Sequence, residues 1–243
     1  MTGPDEAALA AQRVLGNDRI PGAVLEIAAG RPIELAWRNE LGGLTFRIDD
    51  VFVKWNPRRS GIDLARERAR LAWLAGRHPA PRVLSWGEDA DAQWLLTAAL
   101  PGGCAVGDTW RARRSEAIRA IAAGLRTLHA IPIDDVPAEW TSQVWVGRTP
   151  ESLGPRPAVE TTVLVHGDAC APNTLISPEG RWTGNVDFGD LAVGDRWADL
   201  AVASMSLDWN FGPGHQEELF DAYGIERDDL RIDYYRRLWH LES

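Results

Sequence analysis

The sequence predicts an α+β fold of two lobes, a small antiparallel sheet with one helix followed by a mostly helical half. Three observations carry this. Period-two apolar runs crowd the segment before residue 56, a strong Pro-Gly-Gly break falls at Pro101–Gly103, and long segments of helical periodicity follow that break. A chain of 243 residues, 45% apolar and 25% charged, buries a proper core and holds no apolar run long enough to span a bilayer. Domain boundaries are expected at 1–100 and 101–243.

Taken in order, "AVLEIA", "IELAWR", "TFRI" and "VFVKW" read as strands, with the aspartates of "RIDDV" forming a hairpin turn. "DLARERARLAWLAGRHPAP" reads as a helix, with Asp63 as N-cap, Leu64, Leu71 and Leu74 on one face, and Gly76 and Pro79 as stops. "QWLLTAALPGG" is a further strand that ends at the break. "RSEAIRAIAAGLRTLHAI" then gives a helix with Ile118, Ile121, Leu125 and Leu128 on one side. Five prolines between Pro132 and Pro157 argue for an irregular connection. "TTVLVHGD" and "WTGNVDFGD" are short strands ending in acids, and the remainder from "GDRWADLAVASMSLDW" reads as helices, with Asp195 an expected N-cap and Asp199 an expected buried acid.

Composition excludes several classes of function. A formal net charge of -9 opposes sequence-independent nucleic-acid binding, which needs Lys and Arg against phosphates. The acidic start "MTGPDEAALAAQRVLG" lacks a basic n-region and an apolar h-region, and two cysteines make no disulfide framework. A cytoplasmic protein without membrane or nucleic-acid partners is expected.

"VHGDACAPN" and "NVDFGD" hold the chemistry. A carboxylate on a stiff loop, Asp168, suits acceptance of a hydroxyl proton, and Asn173 and Asp187 offer the oxygens that magnesium prefers beside a nucleotide's phosphates. The alternative makes Asp168 a turn former, Asn173 a cap and Asp187 a turn acid. Upstream, alternation places Lys54 opposite Val51 and Val53, while Glu67 falls on the apolar stripe of Leu64 and Leu71, where a buried carboxylate needs a cation. Lys54 is that cation in one reading; in the other Glu67 sits at the stripe's edge with a neighbouring arginine.

In these motifs the chain resembles the aminoglycoside phosphotransferases, the 3'-phosphotransferase branch of the protein-kinase-like fold, from about residue 38 to 240. The likeness is densest in "VHGDACAPN", "GNVDFGDLAVGDRWADLA" and "YGIERDDLRIDYYRRL". The resemblance implies Asp168 as the catalytic aspartate, Asn173 and Asp187 as Mg2+ ligands, and Lys54 with Glu67 at the phosphates of ATP. It also implies an interlobe hinge in "LLTAALPG", where the backbone of Ala98 and Leu100 meets adenine, unless this is a plain core strand. Gly42 and Gly43 stand where the family positions its nucleotide. His166 is read as a brace for the catalytic loop, Cys170 as a packed side chain, and His129 and His240 as having no comparable context.

The implied activity is transfer of the γ-phosphoryl of ATP to a hydroxyl of a small acceptor, an aminoglycoside-like cationic amino sugar. A kinase of another metabolite or antibiotic, and a nucleotide-binding module without turnover, are the alternatives. The chain departs from the family where it ends in "RRLWHLES" rather than in acids, and where Asp190 replaces an arginine. Asp208, Glu217, Glu218 and Asp221 are candidates to supply the missing charge, and Trp145 and Trp209 candidates to line an acceptor pocket.

Overall fold

The computed structural model describes residues 19–242; the acidic N-terminal segment read above and Ser243 lie outside the described residues. The chain divides into two compact units. One runs up to Trp73 and resumes at Pro81–Ala99, and the other comprises Leu74–Ala80 with Leu100–Ser243.

The first unit begins with α1 (Gly22–Ala28), continues through β1 (Glu34–Arg38), β2 (Leu44–Ile48) and β3 (Val51–Pro57) to α2 (Leu64–Leu74), and closes with β4 (Val83–Glu88) and β5 (Ala92–Ala98). The five strands form an antiparallel sheet in the order β1-β2-β3-β5-β4. The expected strand over "AVLEIA" is a helix instead. Its β-branched residues suggested a strand, but Pro21 precedes the first turn, and Val24 and Ala28, four apart, are the buried pair that joins Phe46, Ile48 and Val53 in this unit's core. Tertiary packing overrides local propensity here. Strand β4 was not legible because its burial does not alternate; it is an edge strand with a register shift between Val83 and Ser85. Helix α2 starts as expected, with Asp63 Oδ1 accepting the Ala65 N–H at 2.9 Å.

The second unit contains β6 (Gly103–Cys104), α3 (Asp108–Ala112), α4 (Arg114–His129), α5 (Glu139–Ser142), β7 (Thr162–Val165), β8 (Thr174–Ile176), β9 (Trp182–Asn185), β10 (Ala192–Asp195), α6 (Trp197–Phe211), α7 (Gln216–Tyr223) and α8 (Asp229–Glu242). Its core joins Ile118, Ile121 and Leu125 of α4 to Val163, Val165, Trp197, Leu200, Tyr235 and Leu238. The strands are only two to four residues long, which is why β6, β8 and β10 escape a periodicity reading.

Their pairing organises the unit. Strand β7 pairs antiparallel with β10, and β8 with β9. The segment 166–173 runs from β7 to β8, and 186–191 from β9 to β10, so both loops are clamped at each end by the same two strand pairs.

Candidate active site

The loop from His166 to Asn173 is held by bonds to its own backbone. Asp199, fully buried on α6, accepts the N–H of His166 through Oδ2 at 2.6 Å and of Gly167 through Oδ1 at 3.0 Å. Trp145 Nε1 donates to the Gly167 carbonyl at 2.6 Å, and the Ser206 hydroxyl accepts the Ala171 N–H at 2.9 Å. Gly167 has φ 80°, and a Cβ there would lie 2.2 Å from the Asp190 carbonyl oxygen. Only glycine allows the two loops to approach this closely.

Within this frame Asn173 Nδ2 donates to Asp168 Oδ2 at 2.9 Å and to the Asp168 carbonyl at 3.0 Å. That fixes the amide so that its oxygen, a hard donor, remains to coordinate. Asp168 Oδ1 is buried without a hydrogen-bond partner, and burial together with the nearby Asp187 carboxylate pushes the Asp168 pKa up. The Asn173 carbonyl accepts the Val186 N–H at 3.0 Å, which ties one motif to the other. Asp187 follows with φ 69°, a left-handed conformation uncommon outside glycine, and Phe188 is fully buried 4.6 Å from the His166 ring. His166 Nε2 lies 3.0 Å from the Val186 carbonyl, so the ring braces the loop. Burial, with Asp168 beside it, raises the Cys170 thiol far above its ordinary range and leaves it unsuited to nucleophilic use.

In the first unit Lys54 Nζ meets Glu67 Oε1 at 2.7 Å, with the Glu67 side chain 6% exposed and Lys54 24%. Gly42 and Gly43 lie in the β1–β2 turn. There the Asn39 side chain accepts the N–H of Leu41 and Gly43, and the Asn39 carbonyl accepts that of Gly42. Both glycine amides are thus donated inside the turn. A Cβ on Gly43 would fall 1.9 Å from Asn56 Oδ1, so this glycine serves a close approach. Ala98 ends β5 with its N–H given to the Arg82 carbonyl at 2.9 Å, leaving its carbonyl as the polar atom it can offer; Leu100 follows after Ala99, which donates to Asp50 at 2.8 Å.

The phosphotransferase enzyme family model matches residues 37–153 and 150–237. The chain belongs to the phosphotransferase enzyme family. It is 33% identical to an aminoglycoside 3'-phosphotransferase of Streptomyces fradiae over 221 residues, 75% of this chain and 81% of that protein. It matches a solved aminoglycoside-3'-phosphotransferase of type VIII with TM-score 0.70 and 27% identity, over 96% of this chain and 98% of the other. An aminoglycoside phosphotransferase of Streptomyces rimosus, solved with ADP and streptomycin, matches with TM-score 0.64 and 26% identity over 96% of each chain. The fold is therefore protein-kinase-like, as the two motifs implied.

Several residues of this phosphotransferase differ from expectation. His129 has a context after all: Nε2 donates to Asp199 Oδ2 at 3.0 Å and Nδ1 meets the Tyr223 hydroxyl at 2.8 Å. Asp195 makes the capping bond expected of it, Oδ1 accepting the Trp197 N–H at 3.1 Å, although the boundary of α6 falls one residue later at Arg196, which makes no side-chain cap; Asp195 Oδ2 also accepts the Glu160 N–H at 3.2 Å. Trp145 is buried as a loop brace, while Trp209 is exposed. Of the candidate acids, Asp208 accepts from Gln216 at 2.5 Å, and Glu217 pairs with Arg227 at 2.8 Å. The sequence reading passed over Asn39, Ser206, Asn185 and His78. Only Asn39 carried a signal, an asparagine closely preceding a Gly-Gly turn.

No helix among the described residues is long and apolar enough to cross a membrane. Among them, too, no three His, Cys, Asp or Glu side chains cluster to hold a metal. A site built on Asn173 and Asp187 is outside that pattern, because one of its two donors is an amide.

Proposed function

We propose that this chain transfers the γ-phosphoryl group of ATP to a hydroxyl of an aminoglycoside-like acceptor, with Asp168 as the catalytic aspartate. The observation that carries this is the Asp168 carboxylate itself. One oxygen is locked to Asn173, and the other, Oδ1, is buried without a partner on a loop held by Asp199, Trp145 and Ser206. A buried unpartnered acceptor is costly unless a ligand supplies the donor, and an acceptor hydroxyl does so. Burial has raised the carboxylate's proton affinity, which favours receipt of that proton as the new P–O bond forms.

Asn173 and Asp187 fit Mg2+, since the amide nitrogen is already committed and both remaining donors are oxygen. When bound, Mg2+ neutralises the phosphate charge that develops during transfer. Lys54, oriented by Glu67, serves the nucleotide phosphates as their cation. The Ala98 carbonyl and Leu100 amide serve adenine. The turn at Gly42 and Gly43 contributes shape rather than amide donors, because both amides are donated within it. The relatives, named as aminoglycoside 3'-phosphotransferases, and the streptomycin complex of the Streptomyces rimosus protein support the acceptor class.

The test is phosphate transfer by Asp168→Asn with ATP and an aminoglycoside panel. Transfer should fall about 10²- to 10⁴-fold while ATP affinity stays within about threefold. Transfer at the wild-type rate would remove Asp168 from the mechanism.

A further inference from the structure

Helix α6 carries the Ser206 hydroxyl that holds the catalytic loop, and Asn210 Nδ2 secures that hydroxyl at 3.1 Å from the next turn. Trp209 lies between them in sequence, three residues and about 4.5 Å of helix rise beyond Ser206. Ser206 is fully buried and Trp209 is 54% exposed, so the helix emerges from the core beside the loop that bears Asp168. The exposed indole does not stand alone. Its ring centroid is 5.7 Å from that of Trp239 and 6.4 Å from that of His240, both on α8, and these two are 5.4 Å apart. Trp239 is half-buried against the core, while Trp209 and His240 are exposed, so the three rings form an aromatic cluster anchored by Trp239 and open to solvent at Trp209.

We infer that Trp209, supported by Trp239 and His240, is the platform on which an amino-sugar ring of the acceptor stacks while its hydroxyl reaches Asp168. This rests on the phosphotransfer reading above. The flat C–H face of a sugar matches an indole in shape, and an ammonium on that sugar is attracted to the negative face of the ring without any carboxylate partner. Of the acids on α6, α7 and α8, Glu217 pairs with Arg227 and Asp233 with Arg237 at 3.5 Å, while Asp208, next to Trp209, accepts from Gln216 through Oδ2 and keeps Oδ1 buried without a hydrogen-bond partner. The ring face supplies what a carboxylate does not, a flat apolar match for the sugar's C–H face, so it selects for sugar faces as well as for charge.

The experiment compares wild type, Trp209→Ala, Trp209→Phe and Asp168→Asn with streptomycin and glucosamine as probes, reading transfer kinetics and, by calorimetry, equilibrium binding. Trp209→Ala should raise the acceptor KM or Kd on the order of tenfold and leave the ATP KM within twofold, while Trp209→Phe recovers most of the loss. A Trp209→Ala acceptor constant within twofold of wild type overturns the platform. A parallel rise in the ATP KM, which marks general disruption, overturns it too, as does failure of wild type to bind either probe. Trp209-dependent binding with no transfer by wild type would instead keep the platform and sink the phosphotransfer reading.

Discussion

Replacing Asp199 by asparagine should loosen the catalytic loop without touching a substrate. The carboxylate accepts three N–H groups, His166 and His129 at Oδ2 and Gly167 at Oδ1, in a fully buried setting. Asparagine has one acceptor oxygen. Its better orientation keeps the two Oδ2 bonds and turns an NH2 against the Gly167 N–H, so one charge-assisted bond is lost and a donor faces a donor. A hydrogen bond to a charged group is worth roughly 1.5–3 kcal/mol, which sets the expected loss at about 2–3 kcal/mol. Asp199→Ala removes all three acceptors and should cost about 4–5 kcal/mol, near the top of the range for point substitutions. Urea unfolding at unchanged slope reads the stability, and initial rates read the chemistry. Because Gly167 adjoins Asp168, kcat should drop at least about tenfold in Asp199→Asn while the ATP KM moves little, since a small displacement of a reacting group is costly. A loss below about 0.5 kcal/mol with unaltered kcat would refute the bracing argument.

Two further outcomes follow from the same loops. His78 is buried, with Nε2 3.2 Å from Asn185 Oδ1, and desolvation lowers its pKa from 6.5 to about 4, against the opposing pull of that hydrogen bond. The unfolded chain therefore takes up a proton that the folded protein refuses. His78's contribution is complete above about pH 6.5 and is lost as pH falls toward about 4, by a few kcal/mol on the order of 1.36 per pKa unit. His78→Gln should flatten that part of the stability profile, measured by denaturant unfolding at stepped pH; an equally steep slope in the variant would be the contrary result. Gly167→Ala places a methyl 2.2 Å from the Asp190 carbonyl at a left-handed φ, so it should destabilise by about 2–4 kcal/mol and abolish transfer. Thermal melting and rates check this, and a variant as stable and active as wild type would show that the loops have room to separate.

The local code alone determined a good deal. Period-two runs at "IELAWR" and "VFVKW", the stripe of Leu64, Leu71 and Leu74, and the ordered pair "VHGDACAPN" and "NVDFGD" were enough to expect the two-part α+β fold and its catalytic chemistry. Those signals are readable because they depend on neighbours within a turn or a strand, or on motifs whose spacing is itself the information. Helix α1 was misread, since Val24 and Ile27 favour a strand until the sheet beneath offers Val24 and Ala28 a common surface. The brace of the catalytic loop was invisible for a related reason. Asp199, His129, Trp145 and Ser206 approach that loop from elements at least 21 residues away in sequence, and a hydrogen bond across such a distance leaves no periodic trace. Sequence nominated the groups proposed for the chemistry; the tertiary structure decided how rigidly they are held, because burial and long-range partners exist only once the chain has folded.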